Sequence, residues 1–190
     1  MNKPRNKPET PVRSIPSLAA QVSAHLVVPE PTVAGFVRQL RYAGHIGVGG
    51  RGFGSWAATF ADAAALILAL SATGKIGLSG PVIDAMKEFD SPDAGGDPVA
   101  YLAAELERLA SGESDLSWIE VCGFVSAVNF GHDRRAVCFG AGDTPAVAKL
   151  YQIAKRPVPG TLIGLKQFTI TERDVLEGVA RWIAGGGENV

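Results

Sequence analysis

Apolar residues recur at helical spacing through the first half of the chain. In "PSLAAQVSAHLVV", Leu18, Val22 and Leu26 fall at i, i+4 and i+8, and Ser17 is placed to cap the start. "PEP" at 29–31 breaks that helix and opens a second, whose buried stripe is Val33, Phe36, Val37 and Leu40, with Gly44 placed to end it in a left-handed conformation. After a glycine-rich loop, Thr59 and Asp62 form a capping-box pattern for a third helix, with Leu66, Ile67 and Leu70 inward and Gly74 as its stop. Ser79 and Pro81 open a fourth helix carrying Val82, Ile83, Met86 and Phe89. Asp97 and Pro98 start a fifth, striped by Val99, Leu102, Leu106 and Leu109.

The pattern changes at Trp118. "WIEVCGFVSAVNF" and "RRAVCFG" are rich in β-branched and aromatic residues and flank "GHD", which predicts a hairpin with its tip at 131–133. "TLIGLKQFTI" predicts a third strand, and residues 143–156 are ambiguous between helix and loop, Thr144 and Pro145 being able to start a helix. Thr171 is expected to cap a last helix striped by Val175, Leu176, Val179, Trp182 and Ile183. The fold class expected is a mainly α N-terminal helix-turn-helix domain followed by a small α+β domain, a three-stranded antiparallel sheet with a C-terminal helix. The divisions expected are a disordered basic arm at 1–13, a helical domain at 14–89, a linker at 90–97 and an assembly domain at 98–190.

Charge changes this picture. The net charge of −1 conceals a gradient. Residues 1–56 carry seven cationic side chains against two carboxylates, residues 57–117 three against ten, and the remainder eight against seven. A basic end on a near-neutral chain points to a polyanionic partner. No apolar run reaches the roughly 18 residues of a membrane span, and the start of the chain lacks the apolar core of a secretory signal. A cytoplasmic protein without membrane contact is therefore expected. Cys122 and Cys138 are too few for a disulfide framework and are expected as small buried hydrophobes.

Candidate chemistry concentrates in "LRYAGHIGVGGRGFGSW", residues 40–56. "GVGGRG" matches the form G-x-G-x-x-G, but a helix precedes it where a dinucleotide loop needs a strand, and Phe53 stands where a Walker loop needs Lys and Ser or Thr. On the second helix, Arg38, Arg41 and Tyr42 share the face opposite the apolar stripe, Gln39 flanks them, and Ala34 and Gly35 lie beside them. Small residues permit close approach, and arginines reach phosphates and base edges. Arg51 among freed backbone N–H groups, with Gly49 and Gly52 shaping the loop, suits a phosphate or a narrow minor groove.

This arrangement resembles the winged helix-turn-helix DNA-binding regulators of phages and other bacterial mobile elements, over about residues 14–72. The resemblance implies binding of double-stranded DNA through Arg38, Gln39, Arg41, Tyr42, Gly49, Arg51 and Gly52, by a homodimer or higher homo-oligomer. Alternatives are a packaging or recombination accessory factor akin to a small terminase subunit, and a protein–protein module such as an antiactivator or anti-defence factor. Neither an enzyme nor a cofactor is expected. His25, His45 and His132 lack metal-ligand spacing. His132 and Asp133 are expected as a polar turn rather than a catalytic pair, and Glu105 and Glu107, at i and i+2, diverge on their helix. Trp118, Phe124, Phe130, Phe139, Phe168 and Trp182 are more aromatics than so small a sheet needs, which predicts self-association there.

Overall fold

The structure, a computed structural model, describes residues 13–47, 57–122, 126–141, 144–154 and 168–185. It is α+β. The helices are α1 (Ile15–Leu26), α2 (Glu30–Tyr42), α3 (Phe60–Ala72), α4 (Ser79–Met86), α5 (Pro98–Ser111), α6 (Pro145–Ala154) and α7 (Arg173–Ala184), with a 3-10 turn at Ile76–Leu78. The strands are β1 (Leu116–Cys122), β2 (Ala127–His132), β3 (Ala136–Gly140) and β4 (Phe168–Glu172). They form one antiparallel sheet in the order β3-β2-β1-β4.

The helix ends follow local chemistry. The Thr59 hydroxyl accepts the Asp62 N–H while the Asp62 carboxylate accepts the Thr59 N–H, the reciprocal cap expected for α3. Asp97 caps α5 by accepting the N–H groups of Val99 and Ala100. Gly44, at φ 79°, ends α2: its N–H reaches Arg41 O, and the His45 N–H reaches Leu40 O at 2.9 Å. Two expected caps are displaced. Ser14 rather than Ser17 caps α1, because Pro16 occupies the first turn, where no N–H is needed. Thr171 lies in β4 and Glu172 is the residue before α7. Residues 143–156, ambiguous in sequence, contain the helix α6.

Among the described residues the sheet has four strands rather than the three expected. The run "WIEVCGFVSAVNF" divides after Cys122 into β1 and β2, and the β2–β3 turn falls at 133–135, with His132 the last residue of β2. A register shift between Leu116 and Trp118 lets both Leu116 and Ile119 point inward, although they are three residues apart. Alternation then sends Val121, Val128, Phe130, Val137 and Phe139 to the core. It also sends Cys122 and Cys138 to the outer face, where Cys122 is half-buried and Cys138 exposed, contrary to the expectation that both are buried. Phe130, Phe139 and Trp182 are core residues, which removes them from any self-association surface; Trp118 is half-buried. Nothing is described of the side chains of Phe124 and Phe168.

The buried residues form one continuous cluster from Ile15 to Ile183. Packing does not separate at 90–97, the segment expected as a linker. α5, which follows it, packs on α3, and α7 packs on both α5 and α1. The two ends of the described chain also meet. Arg13 donates from Nη1 to Ile183 O at 2.7 Å in the last turn of α7, where a cation is favoured by the helix dipole. Gly178 gives the ring of His25 room to lie against α7, since a Cβ there would meet that ring at under 3 Å.

At the centre lies α3. Its residues from Asp62 through Ala69 are all buried, and it contacts α1, α2, α4, α5, α7, β1 and β4. Leu70, expected inward, is only partly buried, and the inward surface is the whole circumference rather than one stripe. Alanines on this helix set how closely its neighbours approach. Ala65→Leu should therefore overpack the core and lower unfolding free energy by about 1–3 kcal/mol, read from urea unfolding monitored by circular dichroism; an unchanged midpoint would show that the site has spare volume.

A candidate nucleic-acid interface on the first two helices

α1 and α2 are joined by three residues, Val27, Val28 and Pro29. Val27 turns the chain in the left-handed region, at φ 54° and ψ 36°, and is 89% exposed. A β-branched residue is disfavoured there. The turn is held around it: the Val28 N–H donates to Ser23 O at 3.2 Å, and Ser23 Oγ donates to Val28 O at 2.7 Å.

α2 buries Val33, Phe36, Val37 and Leu40 and turns its other side outward. Arg38 is exposed, Arg41 half-buried and Tyr42 81% exposed, while Gln39 on the flank is half-buried. Ala34 lies on the exposed side as expected. Gly35 does not: it is buried against Ile76, whose Cδ1 would stand 2.7 Å from an added Cβ, so its small size serves packing against the 3-10 turn. Gly49, Arg51 and Gly52 lie outside the described residues.

The described stems of that glycine segment are nevertheless fixed. Gly47 donates its N–H to Asp62 Oδ1 at 2.9 Å, so the carboxylate that caps α3 also holds the chain leaving α2. On return, Ala57 pairs with Ser14, and the Ala58 N–H donates to Arg13 O at 2.6 Å. One stem thus follows the end of α2 and the other pairs just before the start of α1.

Between the helices at that end runs a groove of about 460 Å³. From α1 it is lined by Ile15, Pro16 and Ala19. From α2 it is lined by Ala34, Val37, Arg38, Arg41 and Tyr42. Neither the Arg38 nor the Arg41 side chain makes a hydrogen bond or ion pair with another described residue. The arginines of other helices differ: Arg108 pairs with Glu105, and Arg173 and Arg181 both pair with Glu177.

A histidine sits under the end of α2. His45, with a side chain 5% exposed, has Nε2 3.0 Å from Asp84 Oδ1 in a contact poorly aligned for hydrogen bonding, and Lys87 Nζ stands 3.2 Å from Nδ1. Burial, and next the Lys87 charge, hold its pKa below the ordinary 6.5, against the opposing pull of Asp84.

A further polar cluster, missed in sequence, surrounds His132. Its Nδ1 pairs with Asp115 at 2.6 Å and its Nε2 with the Tyr101 hydroxyl at 2.8 Å, while Asp133 instead accepts from Ser117. Tyr101 is pushed up to about 12, first by burial and then by Glu105, so it holds its proton and can donate it to Nε2 while Nδ1–H donates to Asp115. The His132 hydrogen bond in turn holds the Asp115 carboxyl below the usual range. The ring is closed in by Tyr101, which also packs on Phe130 and Phe139 with centroids 4.8 and 5.4 Å away. The arrangement ties α5 to the end of β2. Its only sequence signal is the position of His132 at a strand end, since Tyr101 and Asp115 lie 31 and 17 residues away.

Glu105 is buried and Glu107 exposed, as their spacing requires. Among the described residues no group of three His, Cys, Asp or Glu could hold a metal ion, and no helix is long and apolar enough to cross a membrane. Comparison with protein-family models, curated proteins and solved structures gives no match.

Two outcomes are expected here. Because unfolded His45 binds its proton at higher pH than folded His45, stability is intact above about 6.5 and is lost as pH falls through the lower folded value. The urea midpoint should therefore fall on acidification over this window, and His45→Gln should flatten that part of the fall; an identical pH profile would count against it. Val27→Gly relieves a left-handed valine and should raise stability by about 1 kcal/mol, measured by the same unfolding assay, and a loss would show that the valine side chain contributes packing.

Proposed function

We propose that the chain is a sequence-specific DNA-binding regulator of a phage-like or other mobile element, with α1 and α2 as its helix-turn-helix pair. The carrying observation is that the Arg38 and Arg41 side chains, beside the exposed Tyr42, have no partner among the described residues, when the arginines of the other described helices are neutralised by glutamates. Two guanidiniums three residues apart on one helix repel each other, so an anion placed between them is attracted by both. Arginine also offers bidentate donation to phosphates and to guanine edges.

The three-residue connection and the left-handed Val27 support the same reading, because they make a tight, fixed angle between the helices. Ala34 leaves room for a duplex to approach the exposed side. In this reading Gln39 contacts the flank of the site. In the same reading Gly49, Arg51 and Gly52 also contact the duplex. One helix makes few phosphate contacts, so a homodimer that sets two faces on one duplex gains affinity through effective concentration.

The test is fluorescence anisotropy of the full chain with duplexes selected from a random pool, at two salt concentrations. Affinity should fall steeply with salt as neutralised phosphates release counterions. Arg38→Ala and Arg41→Ala should each cost about 1–3 kcal/mol, Arg38→Ala with relaxed sequence preference, whereas Arg181→Ala should leave binding intact. No duplex affinity at about 50 mM salt would sink the proposal and favour a protein partner.

A further inference from the structure

The groove between α1 and α2 has a chemistry that a nucleic-acid backbone does not satisfy. Its walls are mostly apolar, from Ile15, Pro16, Ala19 and Val37, while its cationic groups, Arg38 and Arg41, belong to α2 alone. A phosphate chain could engage the arginines but would leave the apolar floor wet. An occupant that fits both parts has an apolar body and one anionic end.

We infer that this groove binds a free amphipathic carboxylate, its apolar body against Ile15, Ala19 and Val37 and its carboxylate between Arg38 and Arg41, and that the bound molecule competes with DNA. Charge complementarity selects the head: two guanidiniums without a partner among the described residues can each donate to a carboxylate oxygen, and such charge-assisted bonds are short and strong. Tyr42, lining the same groove, brings a further hydroxyl donor. Size selects a small molecule over a helix of another protein, since about 460 Å³ lies within the range of small-molecule sites. The small side chains of Ala19 and Ala34 keep the groove open. The competition rests on the proposed DNA contact through Arg38 and Arg41; the groove itself does not.

The probe is decanoate, below its micelle concentration, added to the full chain in a thermal unfolding assay. A ligand that binds only the folded state raises the midpoint by mass action. Decanoate should raise it, and 1-decanol, which lacks the charge, should bind at least about tenfold more weakly, a difference of about 1.4 kcal/mol. Ala34→Trp, which fills the groove from an exposed position, and Arg41→Met, which keeps an apolar stem without the charge, should each abolish the shift. Arg181→Met, on a distant helix, should keep it. Absence of a shift in the wild type, or a shift retained in both groove variants, overturns the inference, as does binding only to anionic vesicles.

In the second arm, decanoate at the concentrations that shift the midpoint should release selected duplex DNA from the wild-type chain. Simultaneous binding of both would overturn the competition. A chain that binds decanoate but no duplex leaves the groove assignment standing and removes the proposed function. A chain that binds duplex but not decanoate does the reverse.

Discussion

α3 carries an unbroken apolar run from Ala63 to Leu70, and the chain must find cover for nearly its whole circumference. Burying a methylene contributes roughly 0.8 kcal/mol, so leaving any side of this helix in water would forgo much of what holds the fold together. The observed solution surrounds it with helices from both sides of residues 90–97 and with two strands of the sheet. That requirement explains why an apparent boundary in composition is not a boundary in packing. A helix striped on one face could have belonged to a separate N-terminal domain. A helix buried all round needs neighbours from the whole chain, and α5, β1, β4 and α7 supply them.

The same helix orders the candidate site through its first turn. Asp62 is buried, an expensive place for a carboxylate unless hydrogen bonds satisfy it. It accepts from the Thr59 backbone and hydroxyl and from the Gly47 backbone. The capping of α3 and the anchoring of the chain that leaves α2 are therefore one interaction. Arg41 and Tyr42 lie five or six residues before Gly47, with the Gly44 turn between them, so the arginine face is held relative to the core at its C-terminal end by Asp62 and at its N-terminal end by the Val27 turn.

Legibility in the sequence tracked how local each cause was. The α3 capping box, the Asp97–Pro98 start of α5 and the Gly44 stop of α2 depend on residues within one helical turn, and all three are found as expected. The outward side of α2 that carries Arg38, Arg41 and Tyr42 follows from the period of the helix in the same way, with Arg41 half-buried there. The expectations that failed depended on distant partners. Gly35 is small, like its neighbour Ala34, but it packs against Ile76, forty-one residues on. Cys122 and Cys138 sit in apolar runs, yet strand alternation places them opposite the core-facing residues. His132 stands next to Asp133 in sequence, whereas its partners come from α5 and from the residue just before β1. The extra strand was hidden because β1 and β2 share one β-rich run whose break carries no Asn-Gly or Pro signal.

The arginines of α2, without a partner among the described residues, show how a sequence-level charge gradient becomes a surface property. A helical arginine finds an intrahelical partner at three or four residues' distance. Around Arg38 those positions hold Ala34, Gly35, Arg41 and Tyr42; around Arg41 they hold Val37, Arg38, Gly44 and His45. None is a carboxylate, and Glu30 is two turns from Arg38. By contrast, Glu105 stands three residues from Arg108, and Glu177 stands four from both Arg173 and Arg181. Of the ten carboxylates of residues 57–117, one stands on each of the two helices α3 and α4 that pack against α2, and both are otherwise engaged. Asp62 is turned to the stem of the glycine segment, and Asp84 lies against His45 beneath the helix end. Arg13, the other described cation of the basic end, is committed to the terminus of α7. What the described part of the basic end presents to solvent is thus not a diffuse positive field but two arginines at one spacing on one helix, beside an apolar groove, and recognition there depends on local geometry rather than on net charge.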